Sequence, residues 1–349
     1  MEGHRLGDAG DGEVVVGGDA RQRFHDARGY GRPRSGNEIA LTPVEAAHLL
    51  IRGDLSAVDG EGFAAFVAGQ SGGFAARFLV YADLRRRGFY LAPTRRGEGE
   101  APDGDADFLV FERGTGPVQG EVAHRVRAIG ERTDVPAASL GDVVLAVADE
   151  EGEVTYLETD RPEPTGSTTF DPPAVRGALL DDRVLLPAPP AELHRRGVYG
   201  QPLGEQDDDA AGPIQVSLVE AAHLAREGAL SIEGSDSPAA MVVERGRAVE
   251  GERFDRRLAV YEALRERGVV PKTGFKFGAD FRTYGGAEDV DSLGHSESLV
   301  RVLPPGHVFT PRELSLDVRL AAGVRKRTVF ALTDGSGEVT WLGASRLTP

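Results

Sequence analysis

The chain repeats itself, and that repetition constrains its fold more than any other feature. Gly31-Arg32-Pro33 returns as Gly200-Gln201-Pro202, and Val44-Glu45-Ala46-Ala47-His48-Leu49 returns unchanged at Val219 to Leu224. Val80-Tyr81, Leu84-Arg85 and Arg87-Gly88 return as Val260-Tyr261, Leu264-Arg265 and Arg267-Gly268. Asp107-Phe108 answers Asp280-Phe281, and Gly152-Glu153-Val154-Thr155 answers Gly337-Glu338-Val339-Thr340. One shared hexapeptide can arise by chance. A series of matches in the same order, its offset drifting as loop insertions require, cannot. The Pro-rich stretch from Arg161 to Pro173 joins the two copies, and 349 residues suit a chain of more than one core.

Each copy reads the same way. A short apolar strand (Val14-Val15-Val16; Val184-Leu185-Leu186) leads to a short helix ending near the Gly-x-Pro. Thr42-Pro43-Val44-Glu45 is a capping box with proline at the first helical position, and Gly53 is placed to end that helix. Its twin runs from Ser217 through Glu220 to Gly228. After a variable segment, Phe254, Leu258 and Tyr261 recur at helical spacing up to the stop at Gly268. The remainder of each copy alternates strands with one helix. In the second copy these are Phe281 to Tyr284, Ser298 to Leu303, a helix opened by Thr310-Pro311-Arg312-Glu313, Thr328 to Thr333 and Val339 to Leu342. The class is therefore α+β: a tandem repeat of a helical and antiparallel front module and a mixed-sheet rear module. The expected boundaries are 1–75 and 76–165 in the first copy, 172–247 and 248–349 in the second.

Composition narrows the setting. No apolar run approaches the ~20 residues that cross a bilayer, and Met1-Glu2-Gly3-His4-Arg5 has no apolar leader segment. A cytoplasmic protein without a membrane partner is expected. With no cysteine there is no disulfide framework and no thiolate metal site. The net charge of −16 is spread along the chain and reads as a surface adapted to concentrated salt. Acidity normally argues against nucleic-acid binding. In molar salt, however, the Debye length falls to about 3 Å and net charge acts only locally. Among 40 basic residues, lysine occurs only at Lys272, Lys276 and Lys326. A lysine kept in an arginine-rich chain marks a place where a guanidinium does not serve. For Lys272, chance clustering suffices; Lys276 either touches phosphate or flanks the sheet.

The two copies differ where chemistry is concerned. Tyr284, His295 and Lys326 of the second copy face Phe111, Glu121 and Gly141 of the first. The scaffold repeats and the three reactive side chains do not, which implies one working site and one retired site per chain. Imidazole, with a reference pKa of ~6.5, exchanges protons near neutrality. An ammonium steadies a developing anion. A phenol, at ~10, becomes a base only beside a cation. Such a set needs no metal or other cofactor. It suits attack by a ribose 2′-hydroxyl on its own phosphate, which makes the substrate RNA.

Phe275-Lys276-Phe277-Gly278-Ala279-Asp280-Phe281, with Tyr284, Gly294-His295-Ser296-Glu297 and Val324-Arg325-Lys326, resembles the archaeal tRNA-splicing endonuclease family. The resemblance covers both copies and points to the two-repeat, homodimeric branch. It implies an RNA endonuclease of the lyase type that cuts precursor tRNA at a bulge–helix–bulge. The ends left would be 2′,3′-cyclic phosphate and 5′-hydroxyl. It also implies roles: Tyr284 as general base, His295 as general acid, Lys326 as transition-state stabiliser. Arg319 and Arg346 stand where the family places two arginines that sandwich a bulge base across the dimer. Arg319 is expected on the helix from Thr310 and Arg346 after the last strand. The acidic turn Asp149, Glu150, Glu151 and Glu153 matches a loop that docks into the partner subunit. The acidic segment Gly285 to Gly294 and the lengthened last turn depart from the family pattern.

Two other readings stay open at this point. One is a non-catalytic RNA-binding subunit of a splicing complex. The other is a metal-dependent nuclease using Asp280 and Glu297. His48, His223, Tyr81 and Tyr261 recur in both copies and read as packing residues, and His307 as a solvated turn. Asp103, Asp105 and Asp107 alternate without a further ligand, and Asp207-Asp208-Asp209 reads as a solvated loop.

Overall fold

The computed structural model describes residues 1–6, 12–94, 106–116, 120–204, 212–286 and 288–349. Asp103, Asp105 and the Asp207 to Asp209 run lie outside the described residues. The chain is α+β, with helices set against mixed sheets.

Each front module carries a five-stranded sheet beside its capped helix. In the first copy the order is Arg32–Pro33, Ile39–Leu41, Val14–Val16, Glu2–Arg5, Ala57–Val58. In the second it is Gln201–Pro202, Ile214–Ser217, Arg183–Leu186, Val175–Leu179, Leu230–Ile232. The closing pair of each sheet is parallel, so these modules are mixed and not purely antiparallel as expected. The capped helices run Pro43–Ile51 and Leu218–Arg226. Glu45 accepts from the Thr42 N–H at 2.8 Å and Glu220 from the Ser217 N–H at 3.0 Å. Both boxes bury their glutamate, at 1 % and 8 % exposure. The segments left unassigned by periodicity hold two further helices, Phe63–Ala68 and Pro238–Glu250.

The rear modules form one continuous sheet of ten strands. Its order is Val270–Thr273, Phe281–Tyr284, Ser298–Leu303, Arg327–Leu332, Thr340–Leu347, Val154–Asp160, Val144–Ala148, Val122–Gly130, Phe108–Phe111, Leu91–Pro93. The copies meet at the centre, where Tyr156 pairs with Leu347 and Asp160 with Gly343, antiparallel. Within each copy one pair is parallel, Ser298–Leu303 with Arg327–Leu332 and Val122–Gly130 with Val144–Ala148. A parallel pair needs a crossover. In the second copy this is the helix Pro311–Gly323. Thr310 caps it through the Glu313 N–H at 3.2 Å, but the Glu313 carboxylate turns to Arg301 instead of closing the box. The first copy lacks the expected helix. Its crossover is the short strand Val135–Pro136 and a single 3-10 turn, Ala137–Ser139, because Pro136 and Gly141 leave no room for an amphipathic run.

One helix consequently covers both halves of the seam. Leu314 and Val318 share a buried cluster with Phe309 and Phe330 of their own copy and with Ile129, Val135, Leu145 and Leu157 of the other. Burying each such side chain is worth about 1.5–3 kcal/mol, so the copies are bonded by a common core as well as by a ladder. Among the described residues no helix is long and apolar enough to cross a membrane.

Candidate active site

Strand register brings the reactive positions of the second copy to one end of the sheet. Thr283 pairs with Ser298, and Ser298 with Arg327. Tyr284 lies one residue past that row, Lys326 one residue before it, and His295 in the loop leading into it. Glu297 fills the place between them. Its N–H donates to the Thr283 carbonyl at 2.9 Å and its carbonyl accepts from the Arg327 N–H at 3.0 Å.

Each side chain is set by local structure. Lys326 leaves the crossover helix through Arg325, whose φ of +57° is a left-handed reversal. Its Nζ donates to the Ser296 carbonyl at 2.7 Å, tying the ammonium to the peptide that follows His295. The same Nζ lies 5.8 Å from the Phe277 ring centroid. His295 itself is exposed. Tyr284 is buried, at 8 % exposure, in a cluster with Val198 and Val270, against which Val290 and Leu293 pack. The Arg282 guanidinium stands 5.7 Å from its ring centroid. This is a phenol beside a cation, an accessible imidazole and an ammonium anchored to the loop that carries it.

The same frame in the first copy holds inert groups. Phe108 pairs with Val126 and Val126 with Val144, as Phe281 pairs with Val300 and Val300 with Val329. Counting in sequence from those pairs sets Phe111, Glu121 and Gly141 against Tyr284, His295 and Lys326, although the first copy has a register shift between Val110 and Phe111 that pairs Phe111 with Val122. Gly141 has φ +130°, and a Cβ there would come within 2.7 Å of Arg161 Nε. Arg161 donates to the Leu140 carbonyl at 2.9 Å and closes the place to a longer side chain.

Arg319 is exposed on the crossover helix. Arg346 does not follow the last strand but lies within it, because that strand extends to Leu347 and pairs Arg346 with Leu157. The ladder to Arg327–Leu332 ends at the pair Thr328 and Ala344, so Arg346 sits beyond it, at the Lys326 end of the sheet. Alternation along the strand puts Arg346 on the same face as Leu342 and Ala344, which pack in the cluster under the crossover helix that carries Arg319. The acidic turn follows Ala148, before Val154. Because the copies are antiparallel at the seam, this turn lies beyond Leu347, at the same end of the sheet as Lys326. Two of its four acids are engaged within the chain. Asp149 accepts from the Glu151 and Glu153 N–H groups at 3.0 and 2.9 Å, and Glu150 pairs with Arg132 at 2.6 Å. The Glu151 and Glu153 carboxylates make no hydrogen bond or ion pair among the described residues.

Other side chains are used structurally. Asp280 is buried, takes Arg253 at 2.5 Å and Arg257 at 3.2 Å, and accepts from the Val302 N–H at 2.8 Å. Asp107 repeats that last bond to the Ala128 N–H at 2.9 Å. The aspartate therefore holds the sheet in both copies and is not free for a metal. His48 and His223 pack edge-on against Tyr81 and Tyr261, both centroids 5.4 Å apart. Burial lowers each imidazole to about 4, helped by the Arg85 and Arg265 charges respectively. His307 is not a solvated turn: its ring lies 4.5 Å from the Phe309 centroid. Lys276 is exposed. Lys272 is no chance member of its cluster. It donates to the Val198 and Gly200 carbonyls and pairs with Glu220 at 3.1 Å. Its rarity in the chain was the one signal that pointed to it.

The catalytic C-terminal domain of tRNA intron endonuclease, as a family model, matches residues 254–341, and the N-terminal domain matches 6–67 and 175–241. A tRNA-splicing endonuclease of Halobacterium salinarum is 59% identical over the whole of both chains. One of Haloferax volcanii is 57% identical over 97% of this chain and 98% of its own. One of Methanosarcina mazei is 34% identical over 96% of each. The match to the catalytic-domain model lies in the copy that carries Tyr284, His295 and Lys326, and the chain belongs to the tRNA intron endonuclease family.

Proposed function

We propose that this protein is a tRNA-intron endonuclease, cutting precursor tRNA at the exon–intron junctions of a bulge–helix–bulge without metal. The observation that supports the reading is a strand register that sets Tyr284, His295 and Lys326 towards one end of the sheet, in one copy only. Tyr284 takes the proton of the 2′-hydroxyl, and the freed oxygen attacks the adjacent phosphorus. The bond from phosphorus to the 5′ oxygen breaks, and His295 supplies that oxygen with a proton. Lys326 balances the charge of the pentacoordinate intermediate. The products are a 2′,3′-cyclic phosphate and a 5′-hydroxyl, with no water consumed. Incubating a bulge–helix–bulge RNA with the protein in EDTA is expected to give cyclic phosphate ends at full rate. A 3′-hydroxyl product, or a requirement for Mg²⁺, would sink the reading.

The working unit is proposed to be a homodimer in the cytoplasm, with Glu151 and Glu153 of one subunit docked on the other. Arg319 and Arg346 then hold a flipped bulge base in the partner's site by stacking, which survives high salt better than counterion release. This arrangement predicts complementation. His295→Ala protein and Arg319→Lys/Arg346→Lys protein are each nearly inactive. Mixed under conditions of subunit exchange, they recover cleavage, because one site of the mixed dimer has both its histidine and its partner's arginines. Neutralising Glu151 and Glu153 abolishes the recovery and halves the mass in solution. Absence of recovery with dimers intact would place the arginines in their own subunit's site.

A further inference from the structure

Val198 has φ +55° and is 1 % exposed. A β-branched residue in the left-handed region is a true conformational outlier, and such strain gathers at functional sites. The repeat gives an internal control. Gly200 answers Gly31, so Val198 answers Gly29, which holds the same conformation at φ +68° without strain. The turn is otherwise alike in both copies: the Val198 N–H donates to the His194 carbonyl at 3.0 Å and the Gly29 N–H to the His25 carbonyl at 2.7 Å. The second copy has thus put a strained valine where a relaxed glycine serves the fold equally well.

What the valine gains is a contact. Val198 belongs to the small buried cluster that holds Tyr284. Its carbonyl is fixed by Lys272, whose Nζ donates to Val198 at 3.2 Å and to Gly200 at 3.0 Å while paired with Glu220. Lys272 stands in register opposite Arg282, two residues from the Val270 that pairs with Tyr284. In the first copy Thr273 answers Pro93, since each pairs with the opening phenylalanine of the next strand. Lys272 therefore answers Ala92, which has no ammonium. Both departures occur in the copy with the phenol, and both converge on it.

We infer that Val198 and Lys272 are positioning residues for Tyr284. Lys272 pins the strained turn of the front module, and the Val198 side chain presses on the phenol ring so that its oxygen meets the 2′-hydroxyl. The inference rests on Tyr284 being the base of the proposed reaction. It goes beyond that reading by giving the front module of the second copy a part in the chemistry.

The test is single-turnover cleavage of a bulge–helix–bulge RNA by the full chain. Val198→Gly, which restores the first copy's residue, is expected to cut roughly 10- to 100-fold more slowly, the usual result of misplacing a catalytic group by about an ångström. Affinity for a non-cleavable 2′-deoxy version of the RNA stays unchanged, and Val198→Thr, equal in shape, retains the rate. In a Tyr284→Phe background, Val198→Gly brings no further loss. A merely structural valine would instead lower both backgrounds alike, and that outcome overturns the inference. So does a Val198→Gly enzyme as fast as the parent when Tyr284→Phe is slow, which leaves the endonuclease reading intact. A Tyr284→Phe enzyme at parental rate removes Tyr284 as base and the inference with it. Should Val198→Gly not fold, the Lys272→Met/Glu220→Gln variant carries the same comparison.

Discussion

His295→Ala is expected to lower single-turnover cleavage by ~10²–10⁴, the worth of a positioned acid or base, while Glu121→Ala leaves the rate unchanged. The two residues occupy equivalent places on one ladder pattern, both exposed at the mouth of a sheet end. Their surroundings differ. Beside His295, Lys326 is bonded to the Ser296 carbonyl, and a phenol closes the adjacent strand. Beside Glu121 the corresponding positions are a phenylalanine and a glycine blocked by Arg161. An acid without base or cation beside it has no displacement to assist. Rates at saturating enzyme, with folding checked by circular dichroism, decide the matter. Equal losses at the two positions would mean that both copies work.

The protein is expected to lose stability as the pH falls from about 6.5 towards 4, before most of its carboxylates titrate. His48 and His223 are lowered to about 4 in the folded chain, chiefly by burial. Below pH ~6.5 the unfolded chain binds protons at both and the folded chain does not, so acid favours unfolding. Each shift corresponds to ~3 kcal/mol once fully expressed, against a total of ~5–15 kcal/mol for an ordinary domain. Glu220 adds to the fall further down. Burial opposes its ionisation, but the Lys272 charge and the Ser217 and Gly200 N–H groups prevail and hold it at about 2. A carboxylate so depressed stabilises above pH ~4.5 and loses that contribution between there and 2. Calorimetry at fixed salt from pH 7 to 4.5 should show a steadily falling midpoint. A flat midpoint down to pH 5 would refute the assignment of these histidines as neutral packing groups.

The elements with strong local chemistry were legible in the sequence. Thr42 and Glu45, Ser217 and Glu220, and Gly268 announced their helix ends because capping is decided within a few residues. Tyr284, His295 and Lys326 stood out because the repeat supplied a copy without them. Three things stayed hidden, each for a physical reason. Pro238–Glu250 buries only Val242, Val243 and Gly246, and a glycine packed against Phe254 carries no apolar signal, so periodicity missed a helix held by packing. The reach of the last strand to Leu347, and with it the place of Arg346, depends on pairing with Val154–Asp160, a partner distant in sequence. The parts of Lys272 and Val198 depend on a carbonyl and a left-handed turn that no residue type announces.

The pairing of Val154–Asp160 with Thr340–Leu347 also fixes the order of events during synthesis. When the first copy emerges, Val154–Asp160 can pair on one side only, with Val144–Ala148, and its other edge has no partner until Thr340–Leu347 has been made. At ~5–20 residues per second this edge stands open for roughly ten to forty seconds. An open edge invites pairing with another chain, and Glu158 and Asp160, charged residues on that strand, are the sort of guard such an edge requires. Pairing within one chain, and not a later encounter between subunits, is what closes the sheet.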